Sequence, residues 1–115
     1  MSRPNRSTAR RGHVDHALVF AALGDETRLA LVAKLTGGEP RSISHLTAGS
    51  KLTRQAITKH LRVLETAGVV RGLREGRESL FELDPRPIEG LRKYLESVSE
   101  QWDQALSRLK AFVER

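Results

Sequence analysis

The stretch LTRQAITKHLRVLETAGVV, Leu52 to Val70, decides the fold. Thr53 stands just ahead of a helical run and reads as its cap, a side-chain oxygen that accepts from a free backbone N–H of the first turn. Behind it Ile57, Leu61 and Leu64 recur at i, i+4 and i+7, one apolar stripe on a helix through about Thr66. Arg54, Gln55, Thr58, Lys59 and Arg62 fall largely on the other side, and Gly68 closes the helix. One face of this helix packs on a core; the other is cationic and rich in hydrogen-bonding groups.

Upstream, Ser42 can cap a short helix through about Ala48, with Ile43 and Leu46 inward and Gly49 and Ser50 as its break. Downstream, Val69 to Leu73 and Ser79 to Leu83 favour extended chain, and Glu75 with Gly76 supplies the positive-φ position of a tight hairpin. In a two-residue turn Arg74 and Arg77 are expected to face each other. Like charges directly opposite are destabilising, so such a tip makes best sense beside an anion. Short helix, tight turn, polar-faced helix and hairpin form the order of a winged helix-turn-helix, whose second helix enters the major groove of DNA.

Before this unit, Val14, Ala17, Leu18 and Ala21 recur at helical spacing, and Gly24 with Asp25 reads as a stop followed by a cap. Leu29 to Leu35 is almost wholly apolar, which suits a helix buried on most of its circumference. After the hairpin, Asp84, Pro85 and Pro87 are expected to interrupt the chain before a last helix. There Ile88, Leu91, Leu95, Val98, Trp102, Ala105, Leu109 and Phe112 follow alternating steps of three and four, a heptad seam. At 1.5 Å per residue that seam is about 38 Å long, more than a domain this small covers by itself. Its natural partner is a second copy of the same helix, with the first helix alongside. Leu91, Leu95, Val98, Trp102 and Leu109 are the candidate dimer interface, with Trp102 as an anchor.

The expected fold class is therefore mainly α with a small β-hairpin, a winged helix-turn-helix forming a homodimer through terminal helices. The expected division is a disordered basic arm over 1–12, a DNA-binding core over 13–86 and a dimerisation helix over 87–115. The net charge of +6 is unevenly placed. Arg3, Arg6, Arg10 and Arg11 make the first twelve residues +4; Arg41 to Arg77 holds eight bases against Glu65 and Glu75, a further +6; the two remaining segments are each −2. The cationic block thus coincides with the second helix and the hairpin, as contact with phosphates requires. The arginine arm suits phosphate tracking or the minor groove, or is simply a solubilising tail.

With no cysteine in 115 residues, disulfides, thiolate nucleophiles and thiolate metal sites are excluded. No apolar run approaches the ~20 residues of a membrane helix, and neither a phosphate loop nor a catalytic triad is present, so a cytoplasmic, non-enzymatic protein with no membrane partner is expected.

Three stretches, ALGDETRLALVAKL (Ala22 to Leu35), LTRQAITKHLRVLETAGVV and REGRESLFEL (Arg74 to Leu83), resemble the ArsR/SmtB winged helix-turn-helix repressors of bacteria and archaea. The resemblance implies a homodimer on a palindromic operator in double-stranded DNA. It carries DNA recognition onto Arg54, Gln55, Thr58, Lys59 and His60, and wing contacts onto Arg74 and Arg77. Arg54 and Gln55 suit guanine and adenine edges, whereas Lys59 and Arg62 suit phosphates. His60 borders the apolar face and has an equal claim to a packing role; Arg28, in the DETR stretch, reads as an ion-pair or capping residue.

The resemblance also implies metal release in many members, through cysteines on the first helix of the motif or Asp and His pairs on the last. Here the first site reads SISHLTAG (Ser42 to Gly49), and the last helix has Glu89, Glu96, Glu100, Asp103 and Glu114 without histidine. His13, Asp15 and His16 read as surface or packing residues. No metal and no cofactor are expected, and the small-molecule inducer is left unidentified. The alternatives are a winged-helix module for a protein or RNA partner, and a non-specific architectural DNA binder.

Overall fold

The computed structural model describes residues 15–115; the basic arm over 1–12, together with His13 and Val14, lies outside them. The elements run α1 (His16–Leu23), α2 (Glu26–Leu35), β1 (Arg41–Ser42), α3 (Ile43–Thr47), α4 (Arg54–Thr66), β2 (Val70–Glu75), β3 (Glu78–Leu83) and α5 (Pro85–Val113).

Each helix starts on a side-chain cap; the sequence announces those at Asp25, Ser42 and Thr53, but not those at Asp15 and Asp84. Asp15, Asp25, Ser42, Thr53 and Asp84 precede the five helices with extended backbone and accept from the N–H of Leu18, Arg28, His45, Ala56 and Arg86 respectively. Gly68, at φ +81°, closes α4 with its N–H on the Glu65 carbonyl at 2.9 Å. A left-handed position just past a helix is where glycine costs least.

The core gathers Val19 and Ala22 of α1, Leu31 and Leu35 of α2, Leu46 of α3, Ile57, Leu61 and Leu64 of α4, Val69, Val70 and Phe81 beside the sheet, and Leu91 of α5. The apolar stripe of α4 is thus buried as its spacing requires. Two expectations about the first helices are corrected. Ala17, Leu18 and Ala21 are exposed while Val19 and Ala22 point inward, because HALVFAAL is apolar all round and its period carries no contrast. Leu29 to Leu35 is not buried on most of its circumference: Leu29 is 53 % exposed, and only Leu31 and Leu35 are fully covered.

The sheet has three strands rather than two, in the order β1-β3-β2, all antiparallel. Arg41 and Ser42 pair with Phe81 and Leu80, so the residues leading into α3 are stitched to the wing. The hairpin register also differs from expectation. Arg74 lies opposite Ser79 and Glu75 opposite Glu78, so the turn is Gly76-Arg77 and the two arginines do not face each other.

Asp84, Pro85 and Pro87 do not interrupt the chain. Asp84 alone links β3 to α5, and both prolines sit in the first turn of that helix, where the missing N–H is no loss. At 1.5 Å per residue the 29-residue α5 is about 43 Å long.

Candidate nucleic-acid interface

The residues that stand outward on α4 are those the sequence places there. Arg54, Gln55 and Lys59 are exposed and Thr58 is half-buried, while Ile57, Leu61 and Leu64 on the opposite side are fully covered. Thr58 Oγ1 donates to the Arg54 carbonyl at 2.8 Å, which leaves its oxygen lone pairs and its methyl group for any outside contact. Arg54 and Gln55 occupy the first two positions after the Thr53 cap, the part of a recognition helix that reaches base edges.

The wing stands beside this helix. Arg77, in the turn, and Arg54, at the start of α4, line one recess of about 180 Å³ together with Ser42, Ser44, Ser79 and the carboxylate of Glu78. Two guanidinium groups and three hydroxyls share the recess with the Glu78 carboxylate, which offsets one of the two positive charges. The serines are not legible as site residues in the sequence, because the strand pairing of β1 with β3 is what brings Ser42 and Ser44 to Ser79.

Arg74 and Arg62 line a second, larger groove between α4 and the hairpin, with Glu65, Gly72 and Phe81. Arg62 is already engaged there: its Nη1 lies 2.8 Å from Glu65 Oε1, and its guanidinium sits 6.0 Å from the Phe81 ring centroid. A Cβ at Gly72 would stand 3.3 Å from Glu65 Oε2, a tight contact with the end of a flexible side chain.

His60 turns the other way from Gln55 and Lys59. Its Nδ1 is 3.2 Å from Arg28 Nη1 and 3.8 Å from Asp25 Oδ2. Arg28 Nε in turn donates to the Ala22 carbonyl at 2.6 Å, so Arg28 caps the end of α1. The backbone N–H of Arg28 donates to the Asp25 carboxylate and holds that carboxyl below its ordinary value, with a further contribution from the Arg28 charge.

On α5, Leu95, Trp102 and Leu109 are 49 %, 63 % and 57 % exposed, with Phe112 and Val113 more so. Leu91, by contrast, is taken up by this chain's own core, and Val98 is half-buried. His16 stacks on Tyr94 at 4.4 Å and Phe20 meets Tyr94 edge-on at 6.5 Å, which seats α1 on α5. Among the described residues no three His, Cys, Asp or Glu side chains are grouped as a metal site, and no helix is long and apolar enough to cross a membrane.

A short helix, a turn, an outward-facing cationic helix and a three-stranded wing define a winged helix-turn-helix. The helix-turn-helix domain family HTH_20 matches residues 23–72. The HTH-type transcriptional regulator Rv2034 of Mycobacterium tuberculosis is 35 % identical over 88 residues, 76 % of this chain and 78 % of its own length. The solved structure of an ArsR-like transcriptional regulator from Rhodococcus sp. RHA1 is 33 % identical and covers 88 % of this chain and 94 % of its own, with a TM-score of 0.75. The homodimeric winged helix-turn-helix DNA-binding domain of Mycobacterium bovis Mb0332 shares the fold at 20 % identity and a TM-score of 0.60, over 90 % of this chain and 94 % of its own. The chain belongs to the ArsR/SmtB family of winged helix-turn-helix transcriptional regulators.

Proposed function

We propose that this regulator is a repressor that binds a palindromic operator as a homodimer, without responding to metal through the family's customary sites. The observation that carries the reading is the division of α4: its apolar stripe is sealed in the core, and Arg54, Gln55 and Lys59 stand in solvent beside the wing. Gln55 reads a base edge. Arg54, Arg74, Arg77 and Lys59 supply charge to base or backbone, with Thr58 between them. Arg62 contributes less than a free cation, because Glu65 already neutralises part of it. His60 acts from inside, through Arg28 and Asp25.

The uncovered apolar side of α5 supports self-association. Leu95, Trp102, Leu109 and Phe112 are each close to or above half-exposed, an extended patch of a kind that soluble monomers seldom leave bare. The homodimeric state of the Mycobacterium bovis relative agrees with it. A cytoplasmic location and the absence of catalysis belong to the same reading.

The test is binding to duplexes from the chain's own promoter region as salt is raised. Each phosphate neutralised contributes a slope of about −0.9 in log K against log salt, so affinity for the operator falls steeply and stays well above that for a scrambled duplex. Binding that ignores salt, or that treats both duplexes alike, overturns the reading.

A further inference from the structure

We propose that Arg28 is a positioning residue for DNA binding: it locks the recognition helix α4 to the end of α1 and holds the His60 ring with Nδ1 as the acceptor. The inference rests on the operator-binding reading above. Its starting point is chemical. A guanidinium carries only donors, so the 3.2 Å contact between Arg28 Nη1 and His60 Nδ1 requires Nδ1 to accept. The ring proton then belongs on Nε2, and no hydrogen bond within the described residues uses it.

The same guanidinium is fixed at its other end. Nε donates to the Ala22 carbonyl at 2.6 Å and Nη2 lies 3.5 Å from the Ala21 carbonyl. These are among the last carbonyls of α1, groups that a helix leaves without internal partners. The Asp25 carboxylate accepts from the Arg28 backbone N–H at 3.1 Å and supplies the balancing charge beside His60. One planar fork therefore ties together α1, the start of α2 and the middle of α4.

His60 directly follows Lys59 and stands about 1.4 turns after Gln55. Rotation of α4 about its axis would break the Nδ1 contact and carry both of these outward side chains away from their places. Lysine, a point charge on a flexible stem, cannot reproduce a fork that reaches two carbonyls and a ring nitrogen together. Because α1 is seated on α5 through His16, Phe20 and Tyr94, the lock also refers the recognition helix to the terminal helix.

The experiment compares full-length wild type with Arg28→Lys, Arg28→Gln, His60→Gln and His60→Leu, on promoter-derived and scrambled duplexes, at a temperature where thermal melts show each protein folded. Arg28→Lys and His60→Leu are expected to weaken operator binding about tenfold, within the range that one bidentate base contact contributes. His60→Gln keeps an acceptor and a donor and stays within about twofold of wild type by the same measure. Arg28→Gln leaves the salt slope unchanged, whereas removing a group that neutralises a phosphate directly would flatten it by about 0.9.

Imidazole nitrogen NMR of the free wild-type protein is expected to show His60 protonated on Nε2 only. Wild-type affinity retained by Arg28→Lys, a flattened slope in Arg28→Gln, or a proton on Nδ1 overturns the proposal. If the wild type itself binds no duplex, the operator reading fails, and the NMR result alone decides the Arg28–His60 geometry.

Discussion

Glu75 and Glu78 lie directly opposite each other across the hairpin, with only Gly76 and Arg77 between them. The wing tip that is proposed to approach DNA thus carries two facing carboxylates next to its cation. Facing like charges destabilise a strand pair by a few tenths of a kcal/mol or more. Glu78→Gln is therefore expected to raise the thermal midpoint slightly and to tighten DNA binding at low salt, an advantage that fades as salt is added. Titration of both proteins at two salt concentrations checks it; equal affinities at low salt would count against a wing close to the duplex.

Specificity and charge should separate by residue. Gln55→Ala is expected to cost about 1–3 kcal/mol on the operator and to relax preference at one base position. Lys59→Gln should weaken all duplexes alike and flatten the salt slope by about 0.9 for each phosphate the lysine neutralises. Competition binding against single-base operator variants distinguishes the two. Reversal of these behaviours would exchange the roles given to the two side chains.

Trp102 is the largest exposed apolar side chain of α5. Replacing it by alanine is expected to weaken self-association by about 2 kcal/mol or more, as for a central anchor, while leaving helix content intact. Light scattering over a dilution series gives the dissociation constant. A Trp102→Ala protein that dimerises like wild type would move the interface elsewhere.

Gly68 adopts φ +81° at the end of α4. Gly68→Ala places a Cβ in a left-handed conformation, at a cost of about 1–2 kcal/mol. The nearest atom to that Cβ is 3.7 Å away on Pro87, an ordinary contact, so the loss comes from backbone strain alone. Denaturant melts should show the lower midpoint with an unchanged slope.

Asp84 is buried, and its carboxyl is held below the ordinary 3.8 chiefly by the Arg86 side chain, with the Arg86 N–H and Arg71 adding to the effect and burial opposing it. A depressed carboxyl contributes stability that is fully present above 3.8 and is lost as pH falls through the lower folded value. Asp84→Asn should then be about 1 kcal/mol less stable than wild type at neutral pH, a modest figure because Arg86 is 80 % exposed. The gap should close below pH 3.8. Chemical melts at pH 7 and pH 3 test the sign.

What can be read from the residues follows a physical rule. Ser42, Thr53 and Asp25 act within three residues of their partners, so the caps are legible one at a time. The stripe Ile57, Leu61 and Leu64 is legible because its neighbours are polar. The inward face of α1 is not, since Leu18 and Phe20 are as apolar as Val19. Strand β1 is hidden because Arg41 finds its partner forty positions away at Phe81. The hairpin register departs from the expected one by a single residue at the turn, and that shift places Glu75 against Glu78. Of the site, the outward side of α4 is legible, while the serines of the recess and the inward turn of His60 depend on tertiary neighbours.

The single residue between β3 and α5 makes the wing and the terminal rod one piece of hardware. In the proposed dimer through the terminal helices, this short joint would act like the hinge pin of a caliper, helping to set the distance between the two reading heads. One residue inserted within the first turn of α5 would turn the rest of the arm by about 100° relative to the head, given 3.6 residues per turn. In the proposed dimer, the heads of such a protein would be turned out of register with two half-sites about 34 Å apart.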